Sequence, residues 1–446
     1  MADTVSPSPP QHRKGHVRAM LGRRDFRRLL VSRATSQLAD GFFQAALALS
    51  AFFNPGKEVE PVAYAIAFTI LIAPYSVLGP YVGVFLDRWS RRNVLAICNT
   101  ARALLVAPAA VLLLLGQPEW QWAIFAMLVI TINRFVLAGL SASQPHTVNK
   151  PELVTANAFA TTMGTICFGA GLGASLLVIQ LLGGGAGGYA AGASLAIPLY
   201  AASAAVAWLS YGRMDLGPDE SERVTGRVLS QIIGISRGMV HGFRHLWIRR
   251  GSLYMMFTQA CHRALYGVVF VLTLALLRGH FHDPGLEGFG DTLAWAGAAA
   301  AAGQVGSFLA AVITPKLSRA FGPGTLVTGL LAMLVLVLSM VGTIMVEVVF
   351  VVATFLVNIT SQGLKITTDT SLQLNCDDEY RGRLFSLNDT VYNIAYILGM
   401  FVCVLFLPSD GYAPWILFAA AGGYAVLSAW YWFVSRRFAA YAGIVP

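Results

Sequence analysis

The chain has 446 residues, of which 56% are hydrophobic and only 12% are charged. Charged residues make up roughly 25% of an ordinary soluble domain. Here the apolar residues come in long runs, so a water-soluble globular fold is excluded and the bilayer is the solvent. The net charge of +9 does not indicate nucleic acid binding, because the basic residues lie between the apolar runs, as they do in membrane proteins.

Twelve apolar runs in this sequence each reach the length of about 20 residues that crosses a bilayer. Because backbone exposed to lipid must hydrogen-bond within its own segment, and because the alternating pattern of a β-barrel is absent, these runs are predicted to be helices. The predicted fold is an all-α integral membrane protein with twelve transmembrane helices. The predicted spans are 29–53, 61–86, 92–115, 119–141, 153–182, 191–210, 252–277, 290–313, 323–345, 347–368, 383–407 and 413–434.

Lysine and arginine divide unevenly between the two sides of these spans. On the side that holds the N-terminus, the segments between and beyond the spans, counted together with Arg33, Arg92 and Arg383 at span ends, carry 25 of the 31 basic residues, against 2 on the other side. The remaining 4 lie within predicted helices and are Arg102, Arg134, Arg263 and Lys365. Since positive residues concentrate in the cytoplasm, both termini are predicted to be cytoplasmic, which requires an even number of spans.

The longest polar segment, residues 211–251, divides the spans into six and six. Within it, apolar residues recur at helical spacing from Val228 to Trp247, which predicts an amphipathic helix on the membrane surface. His241 and His245 lie four residues apart, but no further ligand accompanies them, so no metal site is predicted. The predicted order is a cytoplasmic basic segment (1–28), a six-helix bundle (29–210), a cytoplasmic linker (211–251), a second six-helix bundle (252–435) and a cytoplasmic tail (436–446).

A charged turn between the second and third spans reads Gly83-Val-Phe-Leu-Asp87-Arg88-Trp-Ser-Arg91-Arg92. Its spacing of Gly, Asp and Arg resembles the loop between helices 2 and 3 of the major facilitator superfamily, although Ser90 stands where many members have Gly. The turn that starts at Asp378 and the stretch Gly238-x-x-x-Gly-Phe-Arg-His are most similar to the enterobactin-exporter and macrolide-efflux-like branch of that superfamily.

The resemblance implies two six-helix pseudo-repeats, related by an axis along the membrane normal, and transport by alternating access. The charged turn is expected to latch the cytoplasmic side to the eleventh span. Asp87 would cap the N-terminus of that span, where the helix dipole stabilises a carboxylate, and Asp389 could pair with an arginine of the turn. Gly83 is expected to let helices approach closely. The expected latch residues are Gly83, Asp87, Arg88, Arg91, Arg92 and Asp389.

Asp40 lies eleven residues after Leu29 in the first span, and therefore ~16 Å into the bilayer. A carboxylate at this depth is expected to be paired, to face a cavity or to be protonated. In the superfamily, an Asp near this place often takes part in proton coupling or binds a substrate cation; a structural carboxylate is the alternative. Arg263 stands at a similar depth in the seventh span, the pseudo-repeat counterpart of the first. It is predicted to face the same central cavity and to be able to pair with Asp40.

Two further arginines lie inside predicted spans. Arg102, ten residues into the third span, either serves the cavity or satisfies a neighbouring helix. Arg134 is open to a functional or a structural interpretation, because superfamily antiporters carry a glycine four residues after this arginine and here it is five residues on. In the fifth span, Gly169 and Gly173 have the spacing that lets a neighbouring helix, expected to be the eighth, pack closely. Ala170 replaces the proline of the antiporters, which weakens the case for antiport.

The sequence predicts a proton-coupled secondary transporter that exports an amphipathic small molecule. The alternative is an exporter or flippase of an anionic amphiphile, such as a siderophore or a lipid-linked phosphate, because arginines outnumber acids at mid-depth. A membrane sensor is the remote alternative, and an enzyme is not predicted because catalytic motifs are missing. The expected partners are the substrate, protons and membrane lipids; the chain is expected to act as a monomer in a bacterial plasma membrane, without cofactor or metal.

Overall fold

The computed structural model describes residues 20–52, 79–149, 152–219, 228–279, 289–408 and 412–437, together with residues 62, 65, 66, 69 and 72. The regular structure in this part of the chain is helical. The first helices are α1 (Arg24–Phe52), α2 (Val82–Leu86), α3 (Arg91–Leu114), α4 (Glu119–Ser143), α5 (Leu153–Leu181), α6 (Gly185–Ser194) and α7 (Ala196–Ser210). The later ones are α8 (Val228–Ile248), α9 (Arg250–Gly279), α10 (Phe289–Phe321), α11 (Pro323–Ile344), α12 (Glu347–Asn375), α13 (Asp378–Phe406) and α14 (Pro414–Arg437).

Within the described residues, ten helical segments are long and apolar enough to cross a membrane. They correspond to the third through the twelfth predicted spans. The first predicted span is α1, which is 29 residues long but carries Arg33 and Asp40 among its apolar residues and is not one of the ten. The second predicted span, 61–86, lies mostly outside the described residues. The chain is therefore a helical protein of many spans, and the count of twelve stays a prediction.

Three boundaries differ from the prediction by six to eight residues. The sixth span starts at Gly185 rather than at 191, because Gly183, Gly184 and Gly185 all have positive φ and turn the chain directly after α5. The eighth span continues past residue 313 to Phe321, and the tenth continues past residue 368 to Asn375. An apolar run measures the thickness of the hydrocarbon core, whereas a helix can continue beyond it with polar residues.

Local sequence explains where several helices begin and end. Ser90 caps α3, since its side-chain oxygen accepts a hydrogen bond from the Asn93 backbone N–H at 3.4 Å. Gly322, with a φ of 78°, precedes Pro323 at the first position of α11, where the fixed φ of proline suits a helix start. Met345 adopts the left-handed conformation and ends α11.

The chain divides into two compact units. The N-terminal unit consists of Met1–Ala48 and Val82–Gly226. In it, α3 packs against α4 and α7, and α5 packs against α6. A cluster of apolar side chains joins α1, α3 and α4 to the segment that follows α7. Its members that are at most 4% exposed include Leu29, Leu95, Val136, Leu140 and Leu216.

The C-terminal unit consists of Leu49–Tyr81 and Arg227–Pro446. Here α9 packs against α13 and α12, α10 packs against α12, and α11 packs against α14. Leu246, near the C-terminal end of α8, is buried against Met256, Leu372 and Leu384, so this end of the helix is packed into the unit.

Helix α8 lies in the segment where the sequence predicts an amphipathic helix. One side docks against α13: the His245 ring stacks on Tyr380 at a centroid distance of 4.7 Å, and Arg249 pairs with Asp377 at 3.2 Å. The other side exposes large apolar side chains, including Val240 and Trp247. The structure therefore shows the helix and adds a docking contact that the apolar periodicity does not reveal; its position on a membrane surface stays a prediction.

Candidate functional site

Asp40 lies at the centre of a buried polar network in the N-terminal unit. Its side chain is paired with Arg102, whose Nη2 donates to Asp40 Oδ1. The Tyr200 hydroxyl donates to the same oxygen at 2.7 Å, and Gln37 Nε2 donates to Oδ2 at 2.8 Å. Asp40 is 2% exposed and Arg102 is 0% exposed. Both carboxylate oxygens thus have donors, and the negative charge has a cation in direct contact.

A second layer of polar groups holds Arg102 in place. Its Nη1 donates to Ser36 Oγ and to Asn99 Oδ1, each at 3.1 Å. Asn99 Nδ2 in turn donates to Ser203 Oγ at 3.1 Å. The face of the guanidinium lies over the Tyr200 ring, with Arg102 Cζ 3.9 Å from the ring centroid. Helices α1, α3 and α7 are therefore joined by one hydrogen-bonded network. Among the side chains named in it, Asp40 and Arg102 carry charge and the others are neutral.

This geometry bears on two of the questions that the sequence leaves open. Of the three environments expected for Asp40, the structure shows pairing. Arg102 satisfies polar groups of the neighbouring helix α1, and its role in a cavity stays a prediction. In this structure the Asp40 carboxylate is bound by Arg102 of its own unit; the suggested pairing with Arg263 of the C-terminal unit stays a prediction. Depth makes Arg102 one of two candidate partners, since it is ten residues into its span, as Asp40 is eleven residues into its own.

Arg263 lies in a cluster of tyrosines in the C-terminal unit. Its Cζ is 4.6 Å from the ring centroid of Tyr266, 4.4 Å from that of Tyr392 and 3.9 Å from that of Tyr396. No acidic side chain of the described chain forms an ion pair with Arg263, and its Nε has no hydrogen-bond acceptor there. The arginine thus rests on aromatic faces instead of a carboxylate.

The tyrosines are themselves held by polar groups of α12. The Tyr266 hydroxyl donates to Asn358 Oδ1 at 3.4 Å, and the hydroxyls of Tyr392 and Ser361 are 3.2 Å apart. The sequence analysis does not identify these tyrosines. A signal is present, since Tyr266 follows Arg263 by three residues and Tyr392 precedes Tyr396 by four, spacings that place each pair on one helix face.

The close contact of α5 within the N-terminal unit is made by another glycine than the two predicted ones. A Cβ atom added at Gly169 or Gly173 would meet no atom of the described chain within 4 Å, whereas one at Gly171 would collide with the Leu38 carbonyl and the Cα of Gly41 in α1. The packing of Gly169 and Gly173 against the eighth span stays a prediction. Residue 171 lies about 200° around the helix from residue 169, and spacing alone does not say which face of a helix packs against its neighbour.

The same contact occurs in the C-terminal unit. A Cβ at Gly267 of α9 would collide with the backbone of α13 at Tyr396 and Met400, and one at Gly399 would collide with Ala264. In each unit, a glycine of the first helix and a glycine of the partner helix therefore allow backbone-to-backbone packing. These glycines are Gly41 with Gly171 and Gly267 with Gly399.

The charged turn before α3 is fixed to its own unit. Arg91 Nη1 donates to the Ala142 carbonyl at 3.0 Å and lies 2.9 Å from His146 Nε2. Arg92 Nη2 donates to the Trp208 carbonyl at 2.8 Å, and its guanidinium stacks on the Trp208 ring at 4.1 Å. These two arginines hold the turn against the ends of α4 and α7.

Two of the expected latch residues have contacts within their own units. Asp389 pairs with Lys365 at 3.0 Å, and Lys365 also pairs with Asp369, four residues on, at 3.5 Å. The pairing of Asp389 with an arginine of the turn stays a prediction. Gly83 is exposed, and a Cβ there would meet no atom of the described chain within 4 Å, so it makes no close approach to a described helix. The Asp87 backbone N–H donates to the Gly83 carbonyl at 2.9 Å.

Arg134 and Arg88 are the remaining predicted site residues. Arg134 is half-buried in the C-terminal half of α4. Arg88 Nε and Nη2 are buried without a hydrogen-bond partner in the described part of the chain. Among the described residues, no group of three or more His, Cys, Asp or Glu side chains is arranged to hold a metal ion.

Comparison with known proteins gives a consistent result. The sequence matches the family described as Major Facilitator Superfamily over residues 29–400. Two proteins named as uncharacterized MFS-type transporters, from Mycobacterium bovis and Mycobacterium tuberculosis, are each 36% identical to the chain over 400 residues, which is 89% of this chain and 88% of theirs.

Solved structures show the same architecture. A nucleoside transporter is similar with a TM-score of 0.68 and 14% identity, over 92% of this chain and 98% of that one. A peptide transporter is similar with a TM-score of 0.67 and 13% identity, over 94% of this chain and 95% of that one. At such low identity, the similarity concerns the fold and not the substrate.

Proposed function

The chain belongs to the Major Facilitator Superfamily, and on this premise we propose that it exports an amphipathic small molecule by alternating access, driven by protons through Asp40. That it is a membrane transporter and not an enzyme follows from its family and its relatives. The observation that carries the proposal of proton coupling is the ion pair of Asp40 with Arg102 inside the N-terminal unit.

A buried ion pair of this kind has two states with different contacts. With Asp40 ionised, Arg102, Tyr200 and Gln37 converge on the carboxylate and join α1 to α3 and α7. Protonation removes the negative charge, so Arg102 keeps only its neutral acceptors Ser36 and Asn99. Since an uncompensated buried cation is costly, protonation favours a different arrangement of these helices. This difference is what a proton gradient can act on.

The test is flux through the purified protein in liposomes under an imposed pH gradient, with ethidium and dansyl-labelled dodecanoate as fluorescent probes. Asp40→Asn should abolish gradient-driven flux and leave exchange of the probe without a gradient. The matched control is Asp25→Asn, the same change at the exposed start of α1. Undiminished gradient-driven flux in a folded Asp40→Asn protein would end the proposal.

Removal of one partner of a buried ion pair can impair folding, so a second variant is needed. The double change Asp40→Asn with Arg102→Gln removes both charges and keeps polar side chains of similar size. We call it the neutral pair. If the neutral pair folds and still shows gradient-driven flux, the coupling does not run through Asp40.

The second candidate function is an exporter or flippase of an anionic amphiphile, such as a siderophore or a lipid-linked phosphate. The observation that favours it is the tyrosine cluster around Arg263, in which a cation has no carboxylate partner among the described residues. The two candidates share the transport mechanism and differ in the charge of the substrate. Assignment to the enterobactin-exporter and macrolide-efflux-like branch is part of the same proposal.

We also place the transporter in a bacterial plasma membrane as a monomer with twelve spans and both termini in the cytoplasm. The distribution of 25 basic residues on one side of the spans and 2 on the other supports this orientation. The mycobacterial relatives support a bacterial source. The close contact of Gly41 with Gly171 in one unit resembles that of Gly267 with Gly399 in the other. This likeness supports two related six-helix halves, as the superfamily resemblance implies.

A further inference from the structure

Arg263 differs from Lys365 and Arg249, two other cations of the C-terminal unit, in how its charge is met. Lys365 has Asp389 at 3.0 Å and Asp369 at 3.5 Å, and Arg249 has Asp377 at 3.2 Å. Arg263 has three tyrosine rings instead. A cation–π contact is weak, whereas moving a cation out of water is costly. The rings therefore hold the guanidinium without fully replacing its hydration.

The N-terminal unit shows what occupies the matching positions. The glycine contacts place Gly41 of α1 opposite α5 as they place Gly267 of α9 opposite α13. Counting back from these glycines, Arg263 takes the place of Gln37, and Tyr266 takes the place of Asp40. Gln37 donates to Asp40 at 2.8 Å, while Arg263 lies over the Tyr266 ring. The N-terminal unit thus has an acid, Asp40, where the C-terminal unit has Tyr266. It has the neutral Gln37 where the C-terminal unit has the cation Arg263.

The ring contacts leave one N–H group of Arg263 without an acceptor: its Nε has none in the described part of the chain. Contact with aromatic rings uses the flat faces of an arginine, whereas its N–H groups point outward in the guanidinium plane and fit two oxygens of a carboxylate or phosphate. Arg263, Tyr266 and Tyr392 are half-buried, so part of each residue is exposed.

We propose that Arg263, with Tyr266, Tyr392 and Tyr396, binds the anionic group of an amphipathic substrate, a carboxylate or a phosphate. The arginine meets the charge, and the tyrosine rings line the start of the apolar part. Asn358 and Ser361 hold two of the tyrosine hydroxyls and so fix the ring positions. This inference rests on the proposed transport function and specifies the charge of what is carried.

The experiment measures equilibrium binding to the full-length protein in phosphatidylcholine nanodiscs. The probes share one chain and differ in charge: dodecyl phosphate, dodecanoate, neutral dodecanol and cationic dodecyltrimethylammonium. We expect the wild-type protein to bind the two anions about 10- to 100-fold more tightly than dodecanol, as one or two charge-assisted hydrogen bonds imply. Arg263→Gln, which introduces the residue found at the matching position, should remove this preference and leave dodecanol binding unchanged.

Two controls separate the site from general charge effects. Arg319→Gln removes a positive charge at an exposed position in the last turn of α10 and should keep the preference for anions. Arg263→Lys keeps the charge but loses the planar pair of donors, so it should give an intermediate preference. Repeating the dodecyl phosphate titration in nanodiscs that contain phosphatidic acid identifies the source: competition indicates a lipid headgroup, and its absence indicates a soluble anion.

Equal binding of dodecyl phosphate and dodecanol to the wild-type protein would overturn the proposal without recourse to any variant. An unchanged preference in a folded Arg263→Gln protein would overturn it as well. These measurements use no gradient, so their failure would leave gradient-driven flux through Asp40 intact. Loss of the coupling proposal would likewise leave the anion preference intact.

Discussion

At the scale of single residues, the sequence identifies the charged side chains within spans but not their partners. Asp40, Arg102 and Arg263 stand out because charges at this depth are rare and costly. Both arginines lie at about the depth of the aspartate, so depth cannot choose between them. The choice depends on the rotation of each helix about its axis, and Ser36, Asn99 and Tyr200, which fix that rotation for Arg102, are ordinary polar residues in the sequence.

The Asp40–Arg102 pair makes a specific prediction about stability. Arg102→Gln leaves a buried carboxylate without its cation and should destabilise the protein by about 3–5 kcal/mol. The neutral pair should cost less than the sum of its two single changes, because no charge is left uncompensated. Thermal unfolding of the purified protein in detergent measures the difference.

Arg249→Gln is the matched control for this prediction. It breaks the pair with Asp377 at 3.2 Å, in which the side chains are 43% and 58% exposed. A pair of this kind contributes about 0–1 kcal/mol, so the unfolding temperature should move little. Additive losses in the neutral pair would show that the two side chains do not depend on each other.

At the scale of elements, glycine spacing predicts that α5 packs closely but not where. The sequence contains several small residues between Gly164 and Ala174, and small-xxx-small patterns can be read in more than one register. The structure selects Gly171, because only that glycine meets Gly41 and the Leu38 carbonyl of α1. Which face of α5 makes the close contact depends on the helix that packs against it, and a single sequence does not identify that helix.

The turn before α3 divides its charged residues between two tasks. Arg91 and Arg92 anchor the turn within the N-terminal unit. Of the residues of the proposed latch, Asp87 is therefore the one whose substitution is most informative.

Asp87→Asn should preserve folding, lower transport and increase the population open to the cytoplasm. Labelling of cysteines from the cytoplasmic side measures that population. The control is Asp215→Asn, which affects a local bond to the Gly212 N–H at 2.6 Å; transport at the wild-type rate by a folded Asp87→Asn protein would refute the latch.

At the scale of the whole molecule, hydropathy predicts where ten of the spans lie, because the bilayer imposes a length on every helix that crosses it, although some boundaries are up to eight residues away. Orientation follows from the positions of lysine and arginine and stays a prediction. What hydropathy cannot supply is the packing within each unit, where glycines, serines and tyrosines decide which helices touch. The tyrosine cluster around Arg263 is the clearest example, since its members read as ordinary span residues.

The central claim is that protonation of Asp40 changes the conformation of the transporter. The most direct measurement follows the distance between spin labels at Ser141 and Leu374, which lie near the predicted cytoplasmic ends of α4 and α12, as the pH is lowered. The labelled protein is reconstituted in lipid after replacement of its five native cysteines. In the wild-type background, lowering the pH should move the distance distribution from one population to another, and in the neutral pair the distribution should stay fixed. The same shift in the neutral pair, or none in the wild-type background, would contradict the account.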